Sequence, residues 1–460
     1  MRLVSAKINP FKSISTPQAV AISPDVTVIV GMNEAGKTVF LKALEKSADA
    51  VGTSKFNPID DYPRKDLSAY LKEHKTNPAE ATTLTYQLSD EEVAEINAAC
   101  QTKLPKKFEF SITSRYDNTR SINVQVDEAP VLESIIKDAK LSSDAEAAAK
   151  KVKSLGEIPE ALSKVSLTEE DKAFVAKIEA RSAKATKNNW TDIIDWEVWS
   201  WLSLRTPLFL YFSDYFVLPS KMNLADLAHR VEQAKSDTKH LKDEHRAMLA
   251  LLRMADISVA DFTKTGGYEP LKAKIEAVSI SLTDQIMEFW KQNEDLEVEV
   301  DIKADPEDEA PYQNGPNIYL RIKNRRHRGV STPFAQRSRG FIWFFSFLVW
   351  FDSVQNQLNA GAVSTRDLIL LLDEPGLALH AMAQADFLRY IDNLAKRHQV
   401  LYTTHSPFMV HSDRLQLVRM VEDKEKIGTV ITDKLSGSDP RTIFPLQAAL
   451  GWTIAQNLFI

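Results

Sequence analysis

The stretch Gly31-Met32-Asn33-Glu34-Ala35-Gly36-Lys37-Thr38 fits G-x-x-x-x-G-K-[ST], a spacing whose chemistry is the holding of a phosphate chain. Two glycines let the backbone turn tightly, so the N–H groups of Asn33, Glu34, Ala35 and Gly36 can point inward at phosphate oxygens. The positive end of the following helix faces the same anion. Lys37 is then expected to bridge the β- and γ-phosphates of ATP, and Thr38 to place its hydroxyl on Mg²⁺. The competing reading is a glycine-containing turn that matches by accident, roughly a one-in-a-few-hundred event in a chain this long.

Much later, Asp373-Glu374-Pro375 follows Leu368-Ile369-Leu370-Leu371-Leu372. A buried strand ending in two carboxylates could simply finish in a solvated acidic turn. Beside a phosphate loop it reads as Walker B, with Asp373 holding the Mg²⁺ shell and Glu374 orienting and deprotonating the attacking water. A further apolar strand, 399–403, ends in Thr404-His405-Ser406-Pro407. A histidine after a strand is commonly structural, but behind Walker B His405 points to a γ-phosphate contact.

These groups need elements that can position them. Val26-Thr27-Val28-Ile29-Val30 reads as a buried strand entering the loop, and 39–44 has the spacing of the helix leaving it. Residues 1–50 therefore read strand, strand, strand, loop, helix, followed by an irregular crossover over 52–64. Alternation over 82–88, 108–112 and 122–126 predicts an antiparallel meander, with a helix starting at Ser89-Asp90-Glu91-Glu92. From 131 to 204 the pattern is helical, with another N-terminus at Thr168-Glu169-Glu170. Trp190, Trp196, Trp199 and Trp201 gather near its end, and such spacing reads as core or interface before it reads as a base-stacking platform. A strand over 208–212, two long charged helices over 223–253 and 270–293, and a hairpin of 296–302 with 317–323 complete the pattern.

Composition sets bounds. At 460 residues the chain exceeds one core and implies two or three lobes, while 44% hydrophobic and 26% charged residues are ordinary for a soluble protein. A net charge of −6 gives no global attraction to nucleic acid, so such a contact must come from a local patch. One cysteine, Cys100, excludes an internal disulfide and suits a reducing cytoplasm. No export signal or membrane span is expected: the most apolar stretch, 341–351, reads as a buried helix. Asp60-Asp61, Glu169-Glu170-Asp171 and the acids of 305–309 read as solvated or capping groups.

Asn33, Ala35, Gly36, Lys37 and Thr38, the Asp373-Glu374-Pro375 triplet and His405 resemble the ABC-type ATPases of the SMC/RecF-like branch. In that likeness Ser338-Arg339-Gly340 stands as a reduced signature motif, and Gly376-Leu377-Ala378-Leu379-His380 occupies the D-loop, with His380 where a transporter would have aspartate. The loop written Asn-Glu-Ala-Gly-Lys, together with 60–64, 337–341 and 445–451, is further similar to the OLD family of ATP-dependent endonucleases. The resemblance implies an α/β fold of ABC-type P-loop ATPase class: a mixed central sheet, an antiparallel β subdomain and a helical insertion. It divides the chain into an N-terminal ATPase lobe over 1–130, a helical insertion and dimerisation arm over 131–294, and a C-terminal lobe over 295–460.

It also implies ATP and Mg²⁺ as cofactors and a homodimer with composite sites, Ser338 and Gly340 of one protomer capping the γ-phosphate held by another. In that family a TOPRIM nuclease follows the ATPase, as in DNA metabolism or phage defence; here 457–460 fall about where it would begin. The nuclease is therefore expected in a longer polypeptide or in a partner. An ATP-gated scaffold recruiting a separate effector is the alternative, and a transporter subunit fits less well. Finally, Arg321, Lys323, Arg325, Arg326, Arg328, Arg337 and Arg339 lie in a stretch without acids from 310 to 351. It reads either as a solvated hairpin turn or as a rim for ATP and DNA phosphates.

Overall fold

The computed structural model describes residues 1–213, 217–237, 240–254, 256–259, 268–289, 295–360, 366–434 and 440–448. The chain opens with β1 (Arg2–Ile8), β2 (Gln18–Ala21), β3 (Val26–Gly31) and α1 (Lys37–Ser47), the expected order. The predicted irregular crossover contains one helical turn, α2 (Pro58–Asp61), because Asn57 accepts the Ile59 N–H and Pro58 supplies a preset φ at N1. Next come α3 (Leu67–Glu73), β4 (Glu80–Gln87), α4 (Asp90–Cys100), β5 (Glu109–Arg115) and β6 (Arg120–Asn123). Ser89 and Glu92 close a capping box at the start of α4.

The strands form a five-stranded antiparallel sheet in the order β2-β1-β4-β5-β6. Burial pushes the Cys100 thiol at the end of α4 up to about 11.

The helical stretch is α5 (Ala129–Asp138), α6 (Ser143–Ala149), α7 (Ile158–Leu162), α8 (Glu169–Lys187) and α9 (Ile193–Ser203). The tryptophans separate by partner: Trp196 packs on Trp190, whereas Trp199 meets Phe110 of the antiparallel sheet. After β7 (Leu208–Phe212) and β8 (Lys221–Asn223), the single helix expected over 223–253 is instead two, α10 (Leu224–Gln233) and α11 (Asp243–Met254). Asn223 caps α10 by accepting the Asp226 N–H. α10 ends at Gln233, and just beyond it the Ser236 hydroxyl bonds back to the Gln233 carbonyl, competing with the helix as short polar side chains do.

The second long helix, α12 (Tyr268–Phe289), starts two residues earlier than expected; the expected continuation over 290–293 lies outside the described residues. The predicted hairpin is β9 (Leu296–Ala304) with β10 (Pro316–Asn324), paired from Leu296↔Asn324 to Ala304↔Pro316. β11 (Val330–Pro333) and β8 add to the other edge of β10.

The remainder is α13 (Arg339–Ala360), β12 (Leu368–Leu372), α14 (Ala381–Leu394), β13 (Gln399–Thr404), β14 (Val418–Lys424) and β15 (Gly428–Thr432). These strands, with β3 and β7, form a six-stranded mixed sheet, β15-β14-β3-β13-β12-β7, parallel except for β15. β3, β12 and β13 are buried along their whole length, the continuous apolar run of strands covered on both faces. Successive residues of β12 serve opposite cores. Leu368, Leu370 and Leu372 join the phenylalanine-rich α13 and α14, while Ile369 and Leu371 join α1 and the antiparallel sheet. The central sheet is thus the wall between two cores, and its carboxyl ends carry the residues picked out above.

Candidate functional site

Gly31, the last residue of β3, has no room for a side chain beside β14: a Cβ at that position would stand 2.4 Å from the Val421 carbonyl oxygen. The loop regains helix at Lys37, with Gly36 as N-cap at φ 101°. A side chain at Gly36 would be strained and would collide with Thr429, its Cβ 2.2 Å from Oγ1. Thr429, on β15, donates its hydroxyl to the Ala35 carbonyl at 3.0 Å and lies 2.8 Å from Ser13 Oγ, clamping the loop from outside. Asn33 and Glu34 are exposed at its tip, Glu34 with φ 65°. Lys37 is buried, and its ammonium donates to the carbonyls of Gly31 and Met32 at 2.9 Å each.

β12 delivers its carboxylates to the same place. Thr38 Oγ1 lies 2.8 and 3.0 Å from the two oxygens of Asp373, and Lys37 Nζ lies 2.9 Å from Glu374 Oε1. Residues separated by 335 positions in the chain thus meet through the β3-β13-β12 neighbourhood. Glu374 takes a left-handed backbone, φ 48°, and His405 Nδ1 sits 3.0 Å from its Oε2. Of the residues predicted from the two motifs and the histidine, Lys37, Thr38, Asp373, Glu374 and His405 are linked by direct contacts, while Asn33 and Glu34 stand exposed on the loop.

Two residues that no sequence argument picked out also reach Asp373. Tyr211 on β7 donates its hydroxyl to Oδ2 at 2.8 Å, and Thr403 on β13 donates to Oδ1 at 2.7 Å. The available signal was weak: a pair of threonines closing a strand apolar until then, and one hydroxyl in Leu208-Phe209-Leu210-Tyr211-Phe212.

Ser338 and Gly340 stand at the start of α13. Ser338 Oγ accepts the Phe341 N–H at 3.3 Å, and Gly340 packs so closely on the loop after Walker B that a Cβ would lie 2.1 Å from Leu379 Cδ2. His380, read as a D-loop substitution, is the N-cap of α14, its Nδ1 accepting the Ala383 N–H. Gln384, one turn on, ties this segment down by donating to the Gly376 carbonyl at 2.9 Å while accepting from Ser406 beside His405.

Other expectations change. Asp60 is exposed as expected, but Asp61 is fully buried: it caps α2 by accepting the Asn57 N–H at 2.9 Å and is ion-paired with Lys46 of α1 at 2.6 Å. Asp171 fulfils the capping role at α8 and also accepts from Ser142, the bond that chiefly holds its carboxyl down at about 2. The basic stretch is free of acids along the chain but not in space. Glu297 on β9 pairs with Arg325, Asp295 just before β9 pairs with Arg326, and Arg321 is engaged with Ser331. Two of the three arginines expected to meet DNA are therefore already paired. Of the 445–451 segment, 445–448 are helical and the rest lies outside the described residues, as do 457–460. Among the described residues no helix is long and apolar enough to cross a membrane, and no cluster of three or more His, Cys, Asp or Glu could hold a metal by itself.

Residues 1–410 match the family model described as AAA ATPase domain. A curated relative, the uncharacterized protein MJECL43 of Methanocaldococcus jannaschii, is 32% identical over 115 residues, covering 25% of this chain and 29% of the relative. The chain therefore spans well under half the length of the curated protein it matches.

Among solved structures, an SMC head bound to the C-winged helix domain of ScpA overlaps 94% of this chain and 98% of its own, at TM-score 0.39 and 12% identity. The SMC head domain from Thermotoga maritima overlaps 94% and 98% at TM-score 0.35 and 11% identity. An SMC head with an extended coiled coil, bound to the C-terminal domain of ScpA derived from Pyrococcus furiosus, overlaps 94% and 96% at TM-score 0.36 and 13% identity.

Proposed function

The chain belongs to the AAA ATPase domain family, and from that premise we propose that it binds ATP at the loop 31–38 and hydrolyses it with Glu374 as general base. The observation that carries this reading is the convergence of Lys37 and Thr38 with Asp373 and Glu374 at hydrogen-bonding distance. A hydroxyl beside a carboxylate is a hard-oxygen donor set suited to Mg²⁺ completed by phosphate oxygens, so Thr38 and Asp373 are the residues that would hold the ion. Bound there, it would neutralise charge on the β- and γ-phosphates.

The backbone N–H groups of 33–36 and the start of α1 receive the phosphates. Lys37, now bonded to two carbonyls and Glu374, turns to the phosphate chain and so releases the Glu374 carboxylate to take a proton from water. His405, 3.0 Å from that carboxylate, orients it and reaches toward the γ-phosphate.

Two variants test the assignment. Lys37→Ala should abolish ATP binding, since the remaining N–H groups cannot alone offset the triphosphate charge. Glu374→Gln should bind ATP yet lose about 10²–10⁴-fold in turnover, the usual worth of a positioned base. Wild-type phosphate release from Glu374→Gln would show that the base lies elsewhere.

The finer reading follows the resemblance. Two copies pair head to tail, each completing the other's site with Ser338 and Gly340, and ATP-driven pairing controls a DNA-cleaving TOPRIM module in cis or in a cytoplasmic partner. The second reading, an ATP-gated scaffold that turns over slowly and recruits a separate effector, draws on one contact. The Lys37–Glu374 ion pair holds the base against the loop until a triphosphate draws the lysine away.

A further inference from the structure

A carboxylate that must present one oxygen to a metal can rotate about its Cβ–Cγ bond, and rotation misdirects it. Here the two strands flanking β12 remove that freedom. From β7, Tyr211 OH bonds Asp373 Oδ2 at 2.8 Å; from β13, Thr403 Oγ1 bonds Oδ1 at 2.7 Å. A carboxylate only accepts, so the Tyr211 phenol is the donor in this bond. Its ring lies under the Lys42 ammonium, 3.4 Å from the centroid, and Lys42 is one turn after Thr38 on α1. The donor to Asp373 is thereby tied to the helix that presents Thr38.

Thr403 does more. It is fully buried, and while its proton goes to Asp373 its oxygen accepts the Glu374 N–H at 2.7 Å. Glu374 holds a left-handed backbone that a non-glycine residue keeps only where its surroundings over-determine it. The bond from Thr403 is one such determinant, so one hydroxyl addresses both members of the Walker B pair.

We propose that Tyr211 and Thr403 are positioning residues for the ATP-bound divalent ion, Tyr211 acting on Asp373 alone and Thr403 on both Asp373 and Glu374. The inference rests on the ATPase reading above. It separates the two roles: loss of the Tyr211 donor weakens metal holding, and loss of the Thr403 hydroxyl weakens metal holding and also displaces the base. Outer-shell partners of metal ligands are typically worth about 10–100-fold in affinity or activity, which sets the size of the effect to look for.

The test uses the full chain and its Tyr211→Phe, Thr403→Val and Thr403→Ser variants. Mn²⁺·ATP affinity is read by electron paramagnetic resonance, and steady-state hydrolysis is read against Mg²⁺ concentration. Tyr211→Phe should weaken Mn²⁺·ATP binding about tenfold, with a smaller change in kcat at saturating Mg²⁺. Thr403→Val should weaken binding by a similar factor and lower kcat at saturating metal by about tenfold as well, because the base is no longer held. Thr403→Ser keeps the hydroxyl and should restore both. Mn²⁺·ATP affinity at the wild-type level in Tyr211→Phe and Thr403→Val would overturn the proposal, as would a Thr403→Ser variant no better than Thr403→Val. Wild-type protein that binds no Mn²⁺·ATP would instead overturn the ATPase reading itself.

Discussion

At the scale of single residues, Gly36 shows why the phosphate loop tolerates so little. It combines φ 101° with a Cβ position 2.2 Å from Thr429 Oγ1, whereas Gly52, at φ 75°, has open space around it. Left-handed backbone costs a side chain about 1–2 kcal/mol at either site, but only at Gly36 does the added methyl also push on the clamp that holds the loop. Gly36→Ala should therefore weaken ATP binding by at least about tenfold, the equivalent of about 1.4 kcal/mol, while Gly52→Ala leaves it unchanged. Titration with a fluorescent ATP analogue distinguishes them, and equal affinities would remove Thr429 from the account of the loop.

The loop, the carboxylate pair and His405 were legible in the sequence because their chemistry demands particular residues at fixed short spacings. Tyr211 and Thr403, which act across the registers of β12 with β7 and β13, and Thr429, which reaches the loop from β15, were not, because no local pattern encodes those neighbours.

At the scale of elements, strand identity was easier to read than strand neighbours. β12 and β13 announce themselves as apolar runs, yet with both faces buried nothing in the run says which residue serves which core. The amphipathic stretch 223–253 concealed a break, since Ser236 suits a helical pattern as well as it suits ending one. The basic stretch concealed its own neutralisation, because Glu297 comes from the partner strand β9 and Asp295 from the residue that precedes it.

The helical stretch carries a titration that sequence could not reveal. Glu128, 9% exposed, accepts the Leu155 N–H at 2.7 Å, and its carboxyl is pushed up from 4.5 to about 8 by burial and then by a hydrogen bond with Asp192. Asp195 nearby, bonded to the Val126 N–H, is pushed up to about 6, again by burial and then by the charge of Asp192. A carboxyl whose folded pKa is raised contributes stability in full below its unfolded value, and that contribution is lost as pH rises through the folded value. The packing of α5 and α9 should therefore loosen between about pH 5 and pH 8. Glu128→Gln keeps an acceptor for Leu155 without the charge, so it should melt higher than wild type at pH 8 and converge with it near pH 5. A wild-type melting temperature that is flat over this range, with no gain from the glutamine, would mean that Glu128 is not titrating there.

At the scale of the whole molecule, a net charge of −6 and the pairing of Arg325 and Arg326 argue together about DNA. Each phosphate neutralised by a free cation contributes about −0.9 to the slope of log affinity against log salt on duplex DNA. With two of the three candidate arginines committed to Glu297 and Asp295, the hairpin alone should give a slope no steeper than about −1 to −2. Reversing all three charges should then disturb the hairpin more than it changes DNA binding. A steep slope that collapses in the triple reversal would restore the hairpin as a DNA rim.

Pairing of two copies is the other question that belongs to the whole molecule, and the surface around the site bears on it. Leu377 is 50% exposed and Met382 72% exposed, on the loop and first turn that follow Walker B; Met32 is 39% exposed in the phosphate loop itself. Gly340, at the start of α13 and two residues from Ser338, lies against this same segment. Apolar side chains beside two nucleotide-binding motifs suit a surface that closes on a second copy, where burial would contribute about 25 cal/mol per Å² of apolar area. ATP would add charge-assisted contacts available only in the pair.

The pairing should therefore be conditional, absent without nucleotide and stable when hydrolysis is blocked. In light scattering, Glu374→Gln should run near 51.8 kDa without ATP and at about twice that mass with ATP and Mg²⁺. Ser338→Arg in that background should abolish the shift while leaving ATP binding to the single chain intact, because Ser338 would serve the partner's nucleotide. Dimers that form equally well without ATP, or that survive Ser338→Arg unchanged, would mean that the face carrying Leu377 and Met382 closes on something other than a second nucleotide site.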